Sequence, residues 1–150
     1  MDGEGAYSVN RADLQDLTQE RVLDARALLA NGRWAGAYHM AGYSLECAIK
    51  CCVLKYLDES GIIFKDKKYL DKLSKCWTHD LEILMELANL TAEFGEAQSK
   101  NSLLRTNWVV AKDWTEISRY ERKTEDEARG LFEAITNLSD GVLPWIQSRW

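Results

Sequence analysis

No segment of this 150-residue chain alternates apolar and polar side chains with the period of two that a half-buried strand needs. Apolar residues return instead at about 100° per residue, the spacing that lays one face of a helix against a core. The expected class is therefore all-α, an antiparallel bundle of four to five helices with a long central second helix. Ordinary domains run to about 100–150 residues, so one domain is expected over residues 10–150, with residues 1–9 as a disordered amino terminus.

The first helix is marked by Leu14, Leu17, Val22, Ala25, Leu28 and Leu29, with Asn31-Gly32 as its stop. Arg21 falls within that apolar arc, where a long basic side chain covers apolar surface and keeps its charge in water. The second helix runs from Arg33 or Trp34 to Asp58. Its small residues Ala37, Ala41, Ser44 and Ala48 form a flat face that lets a neighbouring helix come close. Thr78 is expected to cap a third helix through Leu81, Leu84, Met85 and Ala88, with Asp80 complementing its dipole. Gly95 and the polar run after it are read as a break before Leu103, Leu104, Trp108 and Ala111. Asp113–Tyr120 reads as a connection or single turn. Thr124 and Glu127 form a capping box for a helix whose apolar line is Ala128, Leu131, Phe132, Ile135 and Leu138. Pro144 is expected to start a last short turn carrying Trp145 and Trp150, both candidates for a subunit contact.

Charge constrains partners. The chain has 19 basic and 24 acidic side chains, net −5, which disfavours coating of nucleic acid by bulk electrostatics. Residues 1–75 hold 11 of each sign, so a polyanion would prefer the first half; the lysines of segment 65–75 read first as a solvated face rather than an RNA contact, and are the best electrostatic candidate for phosphate. No apolar stretch approaches the ~20 residues that cross a bilayer, and the amino terminus lacks a basic start before an apolar core. A cytoplasmic protein with no membrane partner is expected. Cys47-x3-Cys51 and Cys76-x2-His79 have spacings a zinc site could use, but Cys47 and Cys51 lie within a helical pattern, which favours buried reduced thiols and no metal.

Searches for a Gly-rich phosphate loop, His-Glu-x-x-His, Gly-x-Ser-x-Gly or a calcium loop fail, and no cofactor is expected. With only His39 and His79, a general acid or base near neutral pH is one of these two or a carboxylate shifted by burial. The face of the second helix stacks His39, Tyr43, Glu46 and Lys50 at steps of three and four residues, and Glu46 to Lys50 also suits an ordinary helix ion pair.

The stretch from Asn31 through Trp34, His39 and Glu46 to Lys50 resembles the first hairpin of HEPN domains (higher eukaryotes and prokaryotes nucleotide-binding), whose small-residue second helix carries Glu and Lys four apart after a Gly-bearing turn. Thr78-His79-Asp80-Leu81 resembles the family's His-Asp-Leu opening of a later helix, and Ser118-Arg119-Tyr120 its late Arg-Tyr element. The likeness spans residues 12–147 in order. It implies a homodimer, a nucleotidyltransferase-type protein partner, and association with RNA or nucleotide. In the family's active branch it implies a metal-independent ribonuclease built on an Arg followed four to six residues later by a His. Histidine there moves the 2′-hydroxyl proton while arginine holds the phosphate. No histidine follows Arg119 or Arg122. The only match, Arg33-x5-His39, places its side chains about 120° apart on a regular helix.

The resulting expectation is a HEPN-like binding or regulatory protein, with Tyr43, Glu46, Lys50, Arg119 and Tyr120 as ligand-binding candidates. The alternative is an endoribonuclease whose Arg33, His39 and His79 assemble a centre across a dimer.

Overall fold

The computed structural model describes residues 9–150. The disorder expected over residues 1–9 lies outside the described residues, except for residue 9. Helix α1 (Arg11–Ala30) begins with a capping box in which Asn10 and Asp13 exchange side-chain and backbone hydrogen bonds, each 2.9 Å. Such a box satisfies two of the donors a helix start leaves free. α1 ends where the sequence indicates: Gly32 adopts φ +69°, Arg33 N–H donates to Leu28 O at 2.9 Å, and Gly32 N–H donates to Leu29 O at 3.2 Å. These two bonds make a Schellman turn, which needs a left-handed residue at the glycine position. They also deliver Arg33 to the start of helix α2 (Trp34–Ser60).

α1 and α2 form the most extensive contact in the fold, and α2 also packs on α4, α7 and α8. Its small face does what its composition suggests. Ala37 meets Leu29 of α1 and Ala128 of α7 in one cluster, while Ala41 and Ala48 are buried in the main core. α2 is therefore the central helix, covered on most sides. The remaining elements are α3 (Lys67–Leu73), α4 (Leu81–Leu87), α5 (Thr91–Lys100), α6 (Ser102–Lys112), α7 (Glu125–Thr136) and α8 (Val142–Gln147), with 3-10 turns at Ile62–Phe64, Ser74–Trp77 and Glu116–Tyr120. Among the described residues there is no strand. No helix there is long and apolar enough to cross a membrane.

The structure corrects several expectations. Among the described residues eight α-helices replace the expected four or five, because short helices fill stretches read as connections. Gly95 lies inside α5 rather than breaking it: the glycine faces open space, and burial of its neighbour Phe94 offsets its unfavourable helix propensity. The cap of α4 is Asp80, whose carboxylate accepts from Glu82 and Ile83 N–H; Thr78 instead accepts from Asp80 N–H at 3.0 Å. Leu138 lies beyond the end of α7 and is 91% exposed. α8 starts at Val142, two residues before Pro144. Trp145 packs 4.6 Å from Phe94 beneath the Arg149 guanidinium, and Trp150 is partly buried against the cores. Among the described residues the aromatic side chains most open to solvent are Phe64, Trp77 and Tyr120.

Candidate functional site

The site is organised around one carboxylate. Glu46 sits at the middle of α2 and is fully buried. Its Oε1 lies 3.2 Å from Lys50 Nζ, one turn along the helix, and 2.5 Å from His79 Nδ1. His79 reaches it from the short link before α4, which Thr78 and the Asp80 cap hold in place. On its other side, His79 Nε2 lies 2.9 Å from Glu116 Oε2 in the last 3-10 turn. Lys50, Glu46, His79 and Glu116 thus form a continuous run of polar contacts from α2 across to the 116–120 turn. The Lys50 ammonium and the His79 ring give partners to a carboxylate that would be strongly unfavourable in the interior alone.

Beside this chain, His39 stacks on Tyr43 with ring centroids 6.3 Å apart and planes at 3°, and lies 5.9 Å from the Trp114 ring. Trp114 is buried against α2 at Gly42, where a Cβ would collide with its indole. A glycine is required there because the ring approaches the helix backbone closely. Burial, followed by the positive charge of Arg119, holds His39 below its ordinary pKa, against the raising effect of Glu46. Four of the six buried polar atoms with no hydrogen-bond partner among the described residues lie here: His39 Nδ1, Glu46 Oε2, Trp114 Nε1 and Ser118 Oγ. They come from α2 and from the 114–118 stretch, whose 3-10 turn packs on α2. A cleft of about 230 Å³ opens next to them, lined by Thr78, His79, Asp80, Lys112, Trp114 and Glu116.

The structure therefore brings His39, Tyr43, Glu46, Lys50 and His79 into one neighbourhood, with Arg119 acting on it. Tyr120 is 77% exposed, with the Arg119 guanidinium 4.8 Å from its ring centroid. Arg33 is placed elsewhere. It lines a separate cleft of about 370 Å³ with Trp34, Gly36, Arg122 and Lys123, and the charges acting on His39 are those of Arg119, Glu46 and His79. This second cleft gathers three cations at the start of α2, whose first turn has neither an acidic residue nor a side-chain cap. Lys123 is tied to Glu121 at 3.0 Å and lies 4.4 Å from the Tyr38 ring centroid.

The proposed zinc quartet is dispersed. Cys47 and Cys51 are buried with Leu14 in a satellite cluster, whereas Cys76 packs against the main core. Among the described residues, no three His, Cys, Asp or Glu are placed to hold a metal ion. Burial pushes the Cys47 thiol up to about 11 and the Cys52 thiol up to about 12, which keeps both protonated and unreactive at neutral pH. Trp114, Glu116 and Gly42 were missed by sequence reasoning. Their roles arise from contacts between α2 and a segment about 70 residues away, for which local spacing gives no signal.

The chain matches no family model, no curated protein and no solved structure in these comparisons.

Proposed function

We propose that this chain is a HEPN-like helical binding or regulatory protein, a homodimer that associates with nucleotide, RNA or a nucleotidyltransferase-type partner, without the family's ribonuclease centre. The observation that carries this reading is the separation of the arginine from the histidines. Arg33 belongs to a cationic cleft with Arg122 and Lys123, while His79 has both ring nitrogens engaged by Glu46 and Glu116. In-line cleavage of RNA needs a free proton-transfer group and a phosphate-holding cation at the same phosphorus. Here the cationic cleft is suited to holding a phosphate, and His79 serves to hydrogen-bond Glu46 and join α2 to two other segments.

The test is RNA cleavage by purified protein in chelator, at a concentration that sustains a dimer, beside His39→Ala and His79→Asn. Asparagine retains an N–H for Glu46, so the fold is kept while imidazole chemistry is removed. The expected result is no cleavage by any of the three proteins, together with sedimentation as a dimer. Wild-type cleavage that either variant abolishes would overturn the reading. One observation favours the ribonuclease alternative: His39 Nδ1 is unpartnered and Arg119 acts on that ring. Loss of activity in His39→Ala alone would locate the centre there.

A further inference from the structure

Between α2 and α4, residues 64–77 carry five lysines against two aspartates, net +3 in a chain of net −5. All five lysines are exposed. Two are engaged: Lys65 Nζ donates to Ser60 O at 3.1 Å, and Lys72 Nζ lies 3.5 Å from Glu86. Lys67, Lys68 and Lys75 have no carboxylate within ion-pair distance among the described residues. The Asp66 carboxylate is turned into the start of α3, accepting from the N–H groups of Lys68 and Tyr69 at 2.9 and 3.2 Å.

Aromatic side chains bracket these lysines. Phe64 is 95% exposed and Trp77 86% exposed. They are carried by an anchored segment: beneath them Tyr69 is buried, its hydroxyl donates to Leu87 O at 2.7 Å, and its ring meets Tyr56 edge-on at 5.4 Å. Leu73 also packs on the core. The segment thus holds two open aromatic rings with free ammonium groups in the stretch between them.

We infer that residues 64–77 form a binding surface for single-stranded nucleic acid, with bases stacking on Phe64 and Trp77 and phosphates held by Lys67, Lys68 and Lys75. A single strand alternates flat apolar bases with anionic phosphates, and proteins that bind one without sequence preference combine aromatic platforms with a cationic track. A helix lying in a membrane surface instead turns a continuous apolar face outward. Here the apolar residues Tyr69 and Leu73 of α3 face the protein's own core, and the exposed rings stand at the two ends of the segment. The surface is distinct from both clefts described above; it rests on the RNA association of the proposed function, whose dimer and lack of cleavage are read separately by sedimentation and the cleavage assay.

The experiment uses the full chain and a fluorescein-labelled, mixed-sequence RNA single strand of about 16 nucleotides, followed by anisotropy over a series of salt concentrations. Binding is expected to weaken as salt rises. Replacing Lys67, Lys68 and Lys75 with Gln should flatten the slope of log affinity against log salt by about 2, at roughly 0.7 per phosphate contact. Trp77→Ala should weaken binding roughly tenfold or more with the slope unchanged, and Phe64→Ala should act in the same direction, since stacking does not release counterions. All these side chains are exposed, so the variants keep the fold. Absence of binding, or an unchanged slope in the lysine variant, would overturn the inference. So would tighter binding to phosphatidylserine vesicles than to RNA when the same substitutions abolish it, which would assign the surface to lipid headgroups.

Discussion

The middle of α2 and the lysine segment around α3 use charge in opposite ways. At Glu46, a carboxylate with no solvent exposure is flanked by Lys50 and His79, and His79 is flanked again by Glu116, so the buried group is partnered on both sides. Around α3, exposed charges are mostly of one sign, five lysines against two aspartates, and three of the five lysines have no ionic partner among the described residues. The difference shows where binding capacity can reside. A buried charge is committed by its neighbours, because leaving it unpaired disfavours the fold by several kcal/mol. A surface lysine contributes little to the fold and stays available to a ligand.

The sharpest way to break this comparison is to strip Glu46 of both its partners. Lys50→Met with His79→Leu leaves the carboxylate buried and uncompensated, and should lower stability by about 3–5 kcal/mol in a urea titration. Adding Glu46→Leu should recover much of that loss, because apolar residues of similar volume often replace buried ionic groups without penalty. No recovery in the triple variant would mean that the group contributes specific geometry beyond charge compensation. Next in size is Gly42→Ala. The added Cβ would collide with the buried Trp114 indole, and overpacking of this kind costs about 1–3 kcal/mol. An unchanged midpoint would show that the 114–120 stretch shifts easily away from α2.

A smaller effect distinguishes His39 from its surroundings. Burial and the Arg119 charge lower its pKa in the folded protein, so the ring is neutral in both folded and unfolded chains above the ordinary value of about 6.5. As pH falls below that value the unfolded chain takes up the proton first, and stability declines with acidity until the folded ring also protonates. Ring-proton NMR should show His39 titrating below the ordinary value. Arg119→Gln should move the titration upward and narrow the pH window of acid destabilisation. A titration at or above the ordinary value would show that the Glu46 carboxylate, not burial, governs the ring.

What the sequence revealed follows the range of each interaction. The Gly32 stop and the Thr124 box are made within a few residues, and both stand in the structure. The stripe of His39, Tyr43, Glu46 and Lys50 was likewise legible, because helical spacing alone stacks those side chains. Glu46 did not read as buried, nor His79 as its partner, since that contact joins positions 33 residues apart. Gly95 misled for the same reason: its low propensity is local, and the burial of Phe94 that overrides it is tertiary. Leu138 continued the apolar period of α7 on paper. The helix ends at Thr136 and is followed by its capping residue Asn137, whose side chain accepts from the N–H groups of Ser139 and Asp140 at 3.0 and 2.9 Å. That competing local bond starts a turn, and it leaves Leu138 in solvent.

The smallest expected change completes the comparison. Lys67→Gln, Lys68→Gln and Lys75→Gln together should alter stability by no more than about 0.5 kcal/mol, since each side chain is exposed and away from cap, core and ion pair. Self-repulsion within a segment of net +3 argues that the shift, if resolved, is toward greater stability. Calorimetry at low and high salt would check this: removing the like charges should raise Tm slightly at low salt, and the difference should vanish as salt screens them. A clear loss of stability at both salt concentrations would mean that these ammonium groups hold the segment against the body of the protein. The contrast between charges committed to the fold at Glu46 and charges left free around α3 would then no longer hold.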